Sequence, residues 1–124
     1  QMPLEIKTKR GLKVIIGRNH RQNELISLKE ARPGDLWFHA QECPGSHVIL
    51  KGSEQFPDDE DLQIASDLAA FFSRAKNNAK VPVVIVPIEN LKRIAGSVPG
   101  VLSYKEAKVC WAYPIKANTY IYPE

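Results

Sequence analysis

The sequence has 124 residues, 44% hydrophobic and 25% charged, as expected of a single globular domain with a real core. No apolar run reaches the ~20 residues needed to span a membrane, and the first residues do not resemble a signal peptide. Cys43 and Cys110 lie far apart without C-x-x-C spacing, which favours a cytoplasmic protein with reduced thiols over a zinc ribbon. Because Gln1 precedes Met2, we expect residues 1–124 to be one domain of a longer chain.

The net charge of +3 is unevenly distributed along the chain. Residues 54–67 contain six acidic residues and no lysine or arginine, so the remaining residues carry a net charge of +9. Acidic residues at the start of a helix complement its dipole and need no further explanation. The basic excess elsewhere suggests a polyanionic partner, although surface solubility explains many excesses of this size.

The first thirty residues predict a hairpin followed by a helix. Residues 4–8 alternate in polarity, and the apolar segment 12–16 follows after an Arg-Gly turn, as in two paired strands. A helix over about 20–30 comes next. Asn19 is its expected N-cap, and Gln22 stands three residues later, which is the spacing of a capping box.

A second hairpin is predicted from residues 36–40 and 46–50, which are rich in strand-forming types and flank a Cys-Pro-Gly turn. If the strands pair symmetrically about the cysteine of that turn, His39 lies opposite His47 and shares a face with Trp37. The other face then carries the apolar residues Leu36, Phe38, Val48 and Leu50. We therefore expect one face to build the core and the other to display tryptophan and histidine.

A longer helix is predicted over about 59–76, with Asp58 as its N-cap. Its apolar residues recur at helical spacing and indicate a face turned towards the core: Leu62, Ala65, Leu68, Ala69 and Phe72. In the shorter helix, Leu25 and Leu28 are the expected inward residues. Residues 83–86 form a continuous apolar run, which is typical of a strand buried on both faces.

Towards the carboxyl end, residues 100–104 and 109–113 predict a third hairpin, and residues 120–122 a last short strand. Strands and two helices, about 20–30 and 59–76, therefore interleave irregularly. This pattern predicts an α+β fold with a mixed or antiparallel sheet built from hairpins.

Catalytic and metal-binding interpretations of the second hairpin are weaker. Ser46 and His47 are neighbours on a strand, so their side chains point to opposite faces and the imidazole is badly placed to activate the hydroxyl. His39, His47 and Cys43 are too few ligands for zinc, and Asp35 lies about 13 Å along the strand from His39. A small metal- or nucleotide-dependent enzyme built on the two histidines remains an alternative.

Two polar segments suggest phosphate binding. Residues 17–23 combine a glycine with a helix start, where free backbone N–H groups and arginine side chains favour anions. A helix cap with ordinary surface residues is the simpler explanation of this segment. The second segment places Lys92 and Arg93 before Gly96 and a Pro-Gly pair, which predicts a basic loop.

Three motifs together form a more specific pattern. They are Gly17-Arg18-Asn19-x-x-Gln22-Asn23; Asp35-Leu36-Trp37-Phe38-His39 with Pro44-Gly45-Ser46-His47-Val48; and Lys80-Val81-Pro82-Val83 leading to Lys92-Arg93. With these motifs the sequence resembles the NFACT-R domain, the RNA-binding module of ribosome-quality-control factors of the RqcH and NEMF type. Bacterial members of that family were formerly called fibronectin-binding proteins.

The resemblance implies a non-enzymatic domain that engages tRNA or ribosomal RNA on the large ribosomal subunit, in longer proteins that support tailing of stalled nascent chains. It implies no cofactor, no small-molecule substrate and no membrane partner. The expected RNA-binding residues are the basic Arg18, Arg21, Lys92 and Arg93, the polar Asn19, Gln22 and Asn23, and the ring-bearing Trp37, His39 and His47. A protein-binding module of the adhesion type is the remaining alternative.

Overall fold

The computed structural model describes residues 1–96 and 101–123, and its centre is a six-stranded antiparallel sheet. In chain order the strands are β1 (Leu4–Lys7), β2 (Lys13–Ile16), β3 (Leu36–Ala40), β4 (Val48–Leu50), β5 (Val81–Pro87), β6 (Leu91–Arg93), β7 (Leu102–Tyr104) and β8 (Lys108–Ala112). Six of them pair in the order β1-β2-β4-β3-β5-β8, whereas β6 and β7 form a separate two-stranded sheet. Every pairing among these strands is antiparallel.

The helical segments lie on both faces of the large sheet. They are α1 (His20–Glu24), continued by the π-helical residues Leu25–Glu30, then α2 (Asp59–Phe71), α3 (Ala117–Ile121) and the 3₁₀ turns Ile88–Asn90 and Pro114–Lys116. The predicted α+β class with an antiparallel sheet is confirmed, and α3 is a short third helix beyond the two predicted. Within the described part of the chain, no helix is long and apolar enough to cross a membrane.

Both hairpins predicted in the first half of the chain are present. β1 pairs with β2, and β3 pairs with β4 so that Phe38 lies opposite Val48. The same register, continued by one residue, sets His39 opposite His47, and their ring centroids are 5.2 Å apart. The predicted symmetric register is therefore confirmed.

Both faces of the large sheet are buried. The face towards α2 holds a cluster that includes Val14, Ile16, Phe38, Val48, Leu50, Leu68 and Val83. The opposite face holds Ile26, Trp37, Ile49, Val84, Val86 and Leu91. Adjacent valines of β5 thus enter different clusters, which confirms the prediction of a strand buried on both faces.

The expectation that the second face displays tryptophan and histidine is wrong. Trp37 is only 4% exposed and His47 only 3%. The reason is that other elements bring apolar side chains against this face: Leu91 from β6, Leu102 from β7 and Ile26 from the π-helical residues. An alternating pattern within one hairpin shows which residues share a face, but it does not show what covers that face.

Helix α2 begins as predicted and ends earlier than predicted. Asp58 accepts a hydrogen bond from the backbone N–H of Asp61, and the Asp61 carboxylate accepts one from the N–H of Asp58, which completes a capping box. The helix ends at Phe71 rather than residue 76. The following residues bond to the β3–β4 connection instead, since Gly45 and Ser73 form a β-bridge.

The first helical segment covers the predicted span, but its inward face differs. Leu25 is 38% exposed, so the prediction that it faces the core is wrong, and Leu28 is only partly buried. The inward positions belong to Ile26 and Ser27, one turn beyond the buried Gln22 and Asn23. Polar residues begin this inward stripe, and an apolar pattern alone therefore identifies the wrong side.

The predicted third hairpin and the last strand are wrong. β7 pairs with β6, and β8 pairs along its whole length with β5, which would otherwise leave an open sheet edge. Residues 120–122 do not form a strand, because α3 occupies this region and is tied to α2: the Tyr120 hydroxyl donates a hydrogen bond to the buried Asp67 (3.1 Å). Burial and the Asp67 carboxylate raise the pKa of Tyr120 to about 12. The Pro-Gly pair of the predicted basic loop lies outside the described residues.

Asp35, immediately before β3, is a fully buried acid that joins three loops. Its carboxylate accepts hydrogen bonds from the backbone N–H groups of Arg32 (2.9 Å) and Ser53 (2.9 Å), and it pairs with the Lys51 ammonium. Burial by itself would raise the pKa of Asp35, but these donors outweigh it and hold that pKa below 3.8. The ionised carboxylate is therefore part of the folded structure.

Candidate nucleic-acid interface

The start of α1 has the predicted cap in a modified form. Asn19 Oδ1 accepts a hydrogen bond from the N–H of Gln22 (2.9 Å). The Gln22 side chain accepts one from the N–H of Arg18 (2.8 Å), one residue earlier than in a standard capping box. These bonds fix the backbone on both sides of the Arg18 side chain, which is exposed.

The inner side of α1 is attached to the sheet by polar contacts. Asn23 Oδ1 accepts a hydrogen bond from the backbone N–H of His47 (3.1 Å), and the N–H of Gly17 donates one to the carbonyl of His47 (3.0 Å). The Ser27 hydroxyl lies 3.0 Å from Nδ1 of His47. We call Gly17, Asn23, Ser27 and His47 the polar seam. Asn23, Ser27 and His47 are buried, so their demonstrated contacts are with the protein itself.

The predicted ring-bearing residues form a compact cluster. Trp37 stacks on His39 with a centroid distance of 5.4 Å and meets His47 edge-on at 5.2 Å, while Tyr104 of β7 lies 5.6 Å from Trp37. His39 and Tyr104 keep some exposure, whereas Trp37 and His47 are buried. Among the described residues, the buried N–H of the Trp37 indole has no hydrogen-bond partner.

The imidazole of His39 is held by two backbone carbonyls. Nδ1 lies 2.7 Å from the oxygen of Ala40, and Nε2 lies 3.1 Å from that of Gly45. Across residues 1–96 and 101–123, no group of three or more His, Cys, Asp or Glu side chains is placed to hold a metal ion.

A pH dependence of stability is expected from His39. Burial lowers its pKa below 6.5, and the carbonyls of Ala40 and Gly45 offset this only in part. The unfolded chain therefore binds more protons at this position, and the free energy of unfolding should fall as the pH drops below about 6.5. Urea denaturation across this range should show a weaker pH dependence for His39→Gln than for the parent. The exposed His20→Gln is the matched control, and an unchanged slope in His39→Gln would contradict the assignment.

The structure brings the two predicted basic segments to the same side of the molecule. Arg93 of β6 forms an ion pair with Glu24 of α1 (3.0 Å), so β6 lies beside the helix that carries Arg21. Arg18, Arg21 and Lys92 are exposed. The Arg93 guanidinium is exposed too, but its charge is partly balanced by Glu24.

A shallow groove of about 550 Å³ joins Arg18 to basic residues that the sequence analysis missed. It is lined by Arg18, Asn19, His20, Asn23, Pro44, Gly45, Ser46, Phe71, Phe72, Ser73, Arg74 and Lys76. We call it the Arg74 groove. Arg74 and Lys76 fall within the predicted extent of the second helix, where basic residues look like an ordinary solvated end. Only the early end of that helix brings them to Arg18, and no local signal indicates this.

The chain matches the family described as the NFACT protein RNA binding domain over residues 2–105. It is 36% identical over 104 residues to the Rqc2 homolog RqcH of Bacillus subtilis (strain 168), which covers 84% of this chain and 18% of that protein. It is also 36% identical over 101 residues to the Rqc2 homolog RqcH of Streptococcus suis (strain 05ZYH33), with 82% and 18% covered. The chain thus spans about a fifth of the length of these relatives.

A solved structure shares the fold. It is the C-terminal part of the fibronectin/fibrinogen-binding protein from Streptococcus suis, with 34% sequence identity and a TM-score of 0.86. The similarity covers 92% of this chain and 46% of the other. It therefore extends past residue 105 into the segment that contains β8 and α3.

Proposed function

The chain belongs to the family of NFACT RNA-binding domains, and from that premise we propose that it binds tRNA or the RNA of the large ribosomal subunit. The similarity to RqcH proteins supports a role in ribosome-associated quality control, in which a longer protein carrying this domain promotes tailing of stalled nascent chains. The domain then contributes binding and no catalytic step, and it works in the cytoplasm.

The observation that carries this proposal is the exposed Arg18 side chain, held beside the capped start of α1. Phosphates dominate nucleic-acid affinity, and an arginine guanidinium suits them because it offers several donors in one plane. Among the described residues, Arg18, Arg21 and Lys92 form no ion pair, so their charge is not balanced by the protein. Together with Arg93 they give this side of the domain a positive surface.

The remaining predicted site residues fit a supporting role. Asn19 caps α1, and Gln22 and Asn23 hold the backbone around Arg18 and His47. Trp37 and His47 pack inside the ring cluster, so a stacking contact with RNA would require rearrangement of the elements that cover them. His39 is more accessible. Direct RNA contacts by these residues remain a prediction.

Arg18→Ala tests the proposal most directly. Loss of one charge-assisted phosphate contact should weaken tRNA binding about tenfold. It should also reduce the slope of log affinity against log salt by about 1. Fluorescence anisotropy with labelled tRNA at several salt concentrations measures both quantities.

Two controls separate binding from folding. Arg18→Ala should change the free energy of unfolding by no more than about 0.5 kcal/mol, since the side chain is exposed. Asn19→Ala should cost about 1 kcal/mol through loss of the cap. Parent-like RNA affinity in Arg18→Ala would reduce this segment to a helix cap, and easy unfolding would make Arg18 a structural residue.

A further inference from the structure

The Arg74 groove is formed by three segments that are far apart in sequence. The N–H of Ser46 donates a hydrogen bond to the carbonyl of Phe72 (2.9 Å), and the N–H of Arg74 donates one to the carbonyl of Pro44 (2.9 Å). On the other side, Gly17 N–H donates to the His47 carbonyl. These backbone bonds join the residues after α2 to the β3–β4 connection, and that connection to the residues before α1. The groove therefore has a fixed floor.

Its side chains are positively charged and lack partners. No acidic residue lines the groove. Within residues 1–96 and 101–123, neither Arg18, Arg74 nor Lys76 forms an ion pair, whereas Lys9, Arg10, Lys51 and Arg93 each do. Unpaired cations gathered on a concave surface attract a polyanion strongly, because neighbouring walls exclude part of the screening solvent.

Lys76 is placed in the groove without losing its charge. Its ammonium lies 5.0 Å from the centroid of the Phe71 ring, a cation–π contact that orients the group but leaves its donors available. Phe72 beside it is partly exposed and lines the same groove. The groove thus combines phosphate-binding groups with an aromatic surface.

We propose that the Arg74 groove binds a single-stranded segment of RNA, with Arg18, Arg74 and Lys76 on successive phosphates and Phe72 beside an unstacked base. This rests on the proposed function and narrows its substrate class. A duplex keeps its bases stacked inside and presents phosphates on a convex surface, whereas a single strand fits a concave basic groove and exposes its bases to aromatic rings. Loops and ends of folded RNA offer such strands.

The test compares two RNA probes with the whole chain. One is a labelled oligouridylate, and the other is a blunt RNA duplex of the same length. The double variant Arg74→Ala/Lys76→Ala should bind oligouridylate at least about tenfold more weakly and with a salt slope lower by about 2, one unit for each lost phosphate contact. Its affinity for the duplex should change far less.

Matched controls are available on the same surface type. Lys7 and Arg32 are exposed and lie outside the groove, so Lys7→Ala/Arg32→Ala removes the same charge elsewhere. The groove variant retains the Arg74 backbone N–H and should melt at the parent temperature. Arg74→Lys, which keeps the charge, should restore part of the oligouridylate affinity.

The outcomes separate this inference from the proposed function. If Arg18→Ala weakens RNA binding but the groove variant binds oligouridylate like the parent, only the groove inference fails. Equal losses with both probes, or in the control variant, would show general electrostatic attraction and would also overturn it. A parent chain that binds neither RNA would overturn both proposals.

Discussion

Replacement of Asp35 by alanine is expected to lower the free energy of unfolding by about 3–5 kcal/mol, the usual effect of removing one member of a buried ion pair. The carboxylate is fully buried and accepts bonds from Arg32, Ser53 and Lys51. Its loss leaves two backbone N–H groups and the Lys51 ammonium without their acceptor. Each orphaned buried donor adds about 1–3 kcal/mol to the destabilisation, with overlap between them.

Urea denaturation at pH 7 gives the measurement, and two further variants sharpen it. Asp35→Asn retains one acceptor oxygen and should lose less stability than alanine. Glu5→Ala removes an exposed acid from β1 and should have little effect. Since the folded pKa of Asp35 lies below 3.8, its contribution is complete above that pH and is lost as the pH falls further. The gap between the parent and Asp35→Asn should therefore narrow in acid, and a gap that widens would contradict the assignment.

Gly17→Ala should be the second severe substitution. A Cβ at this position would lie 2.1 Å from Asn23 Oδ1 and 3.0 Å from the Asn23 backbone nitrogen, far inside contact distance. Asn23 cannot move aside freely because its Oδ1 accepts the buried His47 N–H. We expect about 1–3 kcal/mol from overpacking, and a further 1–3 kcal/mol, roughly, if the His47 N–H loses its acceptor.

A double-mutant cycle tests that mechanism. In an Asn23→Ala background the new methyl group meets the backbone only, so Gly17→Ala should cost less there than in the parent. Urea denaturation of the four proteins gives the coupling energy. Additive costs would mean that the Asn23 side chain is not what excludes a larger residue at position 17.

The parts of the fold that follow from local pattern were predictable from the sequence. A short turn and side-chain alternation determine which residues of β3 and β4 face each other, and Asp58 marks the start of α2 by its capping chemistry. The pairing of β8 with β5 was not predictable in this way. It depends on which sheet edge is still open after the rest of the chain has folded, and no neighbouring residue encodes that.

The candidate site divides along the same line. Arg18 could be identified because its neighbours Gly17 and Asn19 carry a helix-start signal. Arg74 and Lys76 could not, since their proximity to Arg18 arises from hydrogen bonds between remote segments. The burial of Trp37 was missed for a related reason: the residues that cover it belong to β6, β7 and the π-helical segment.

The connection between β3 and β4 has a length that the rest of the domain does not allow to vary. Insertion or deletion of one residue there would turn every side chain of one strand to the opposite face, exchanging members of the two core clusters. It would also shift Pro44, Ser46 and His47 away from their backbone partners after α2 and before α1. Tolerance of added or removed residues should consequently be very low in this connection, although it is a turn at the molecular surface.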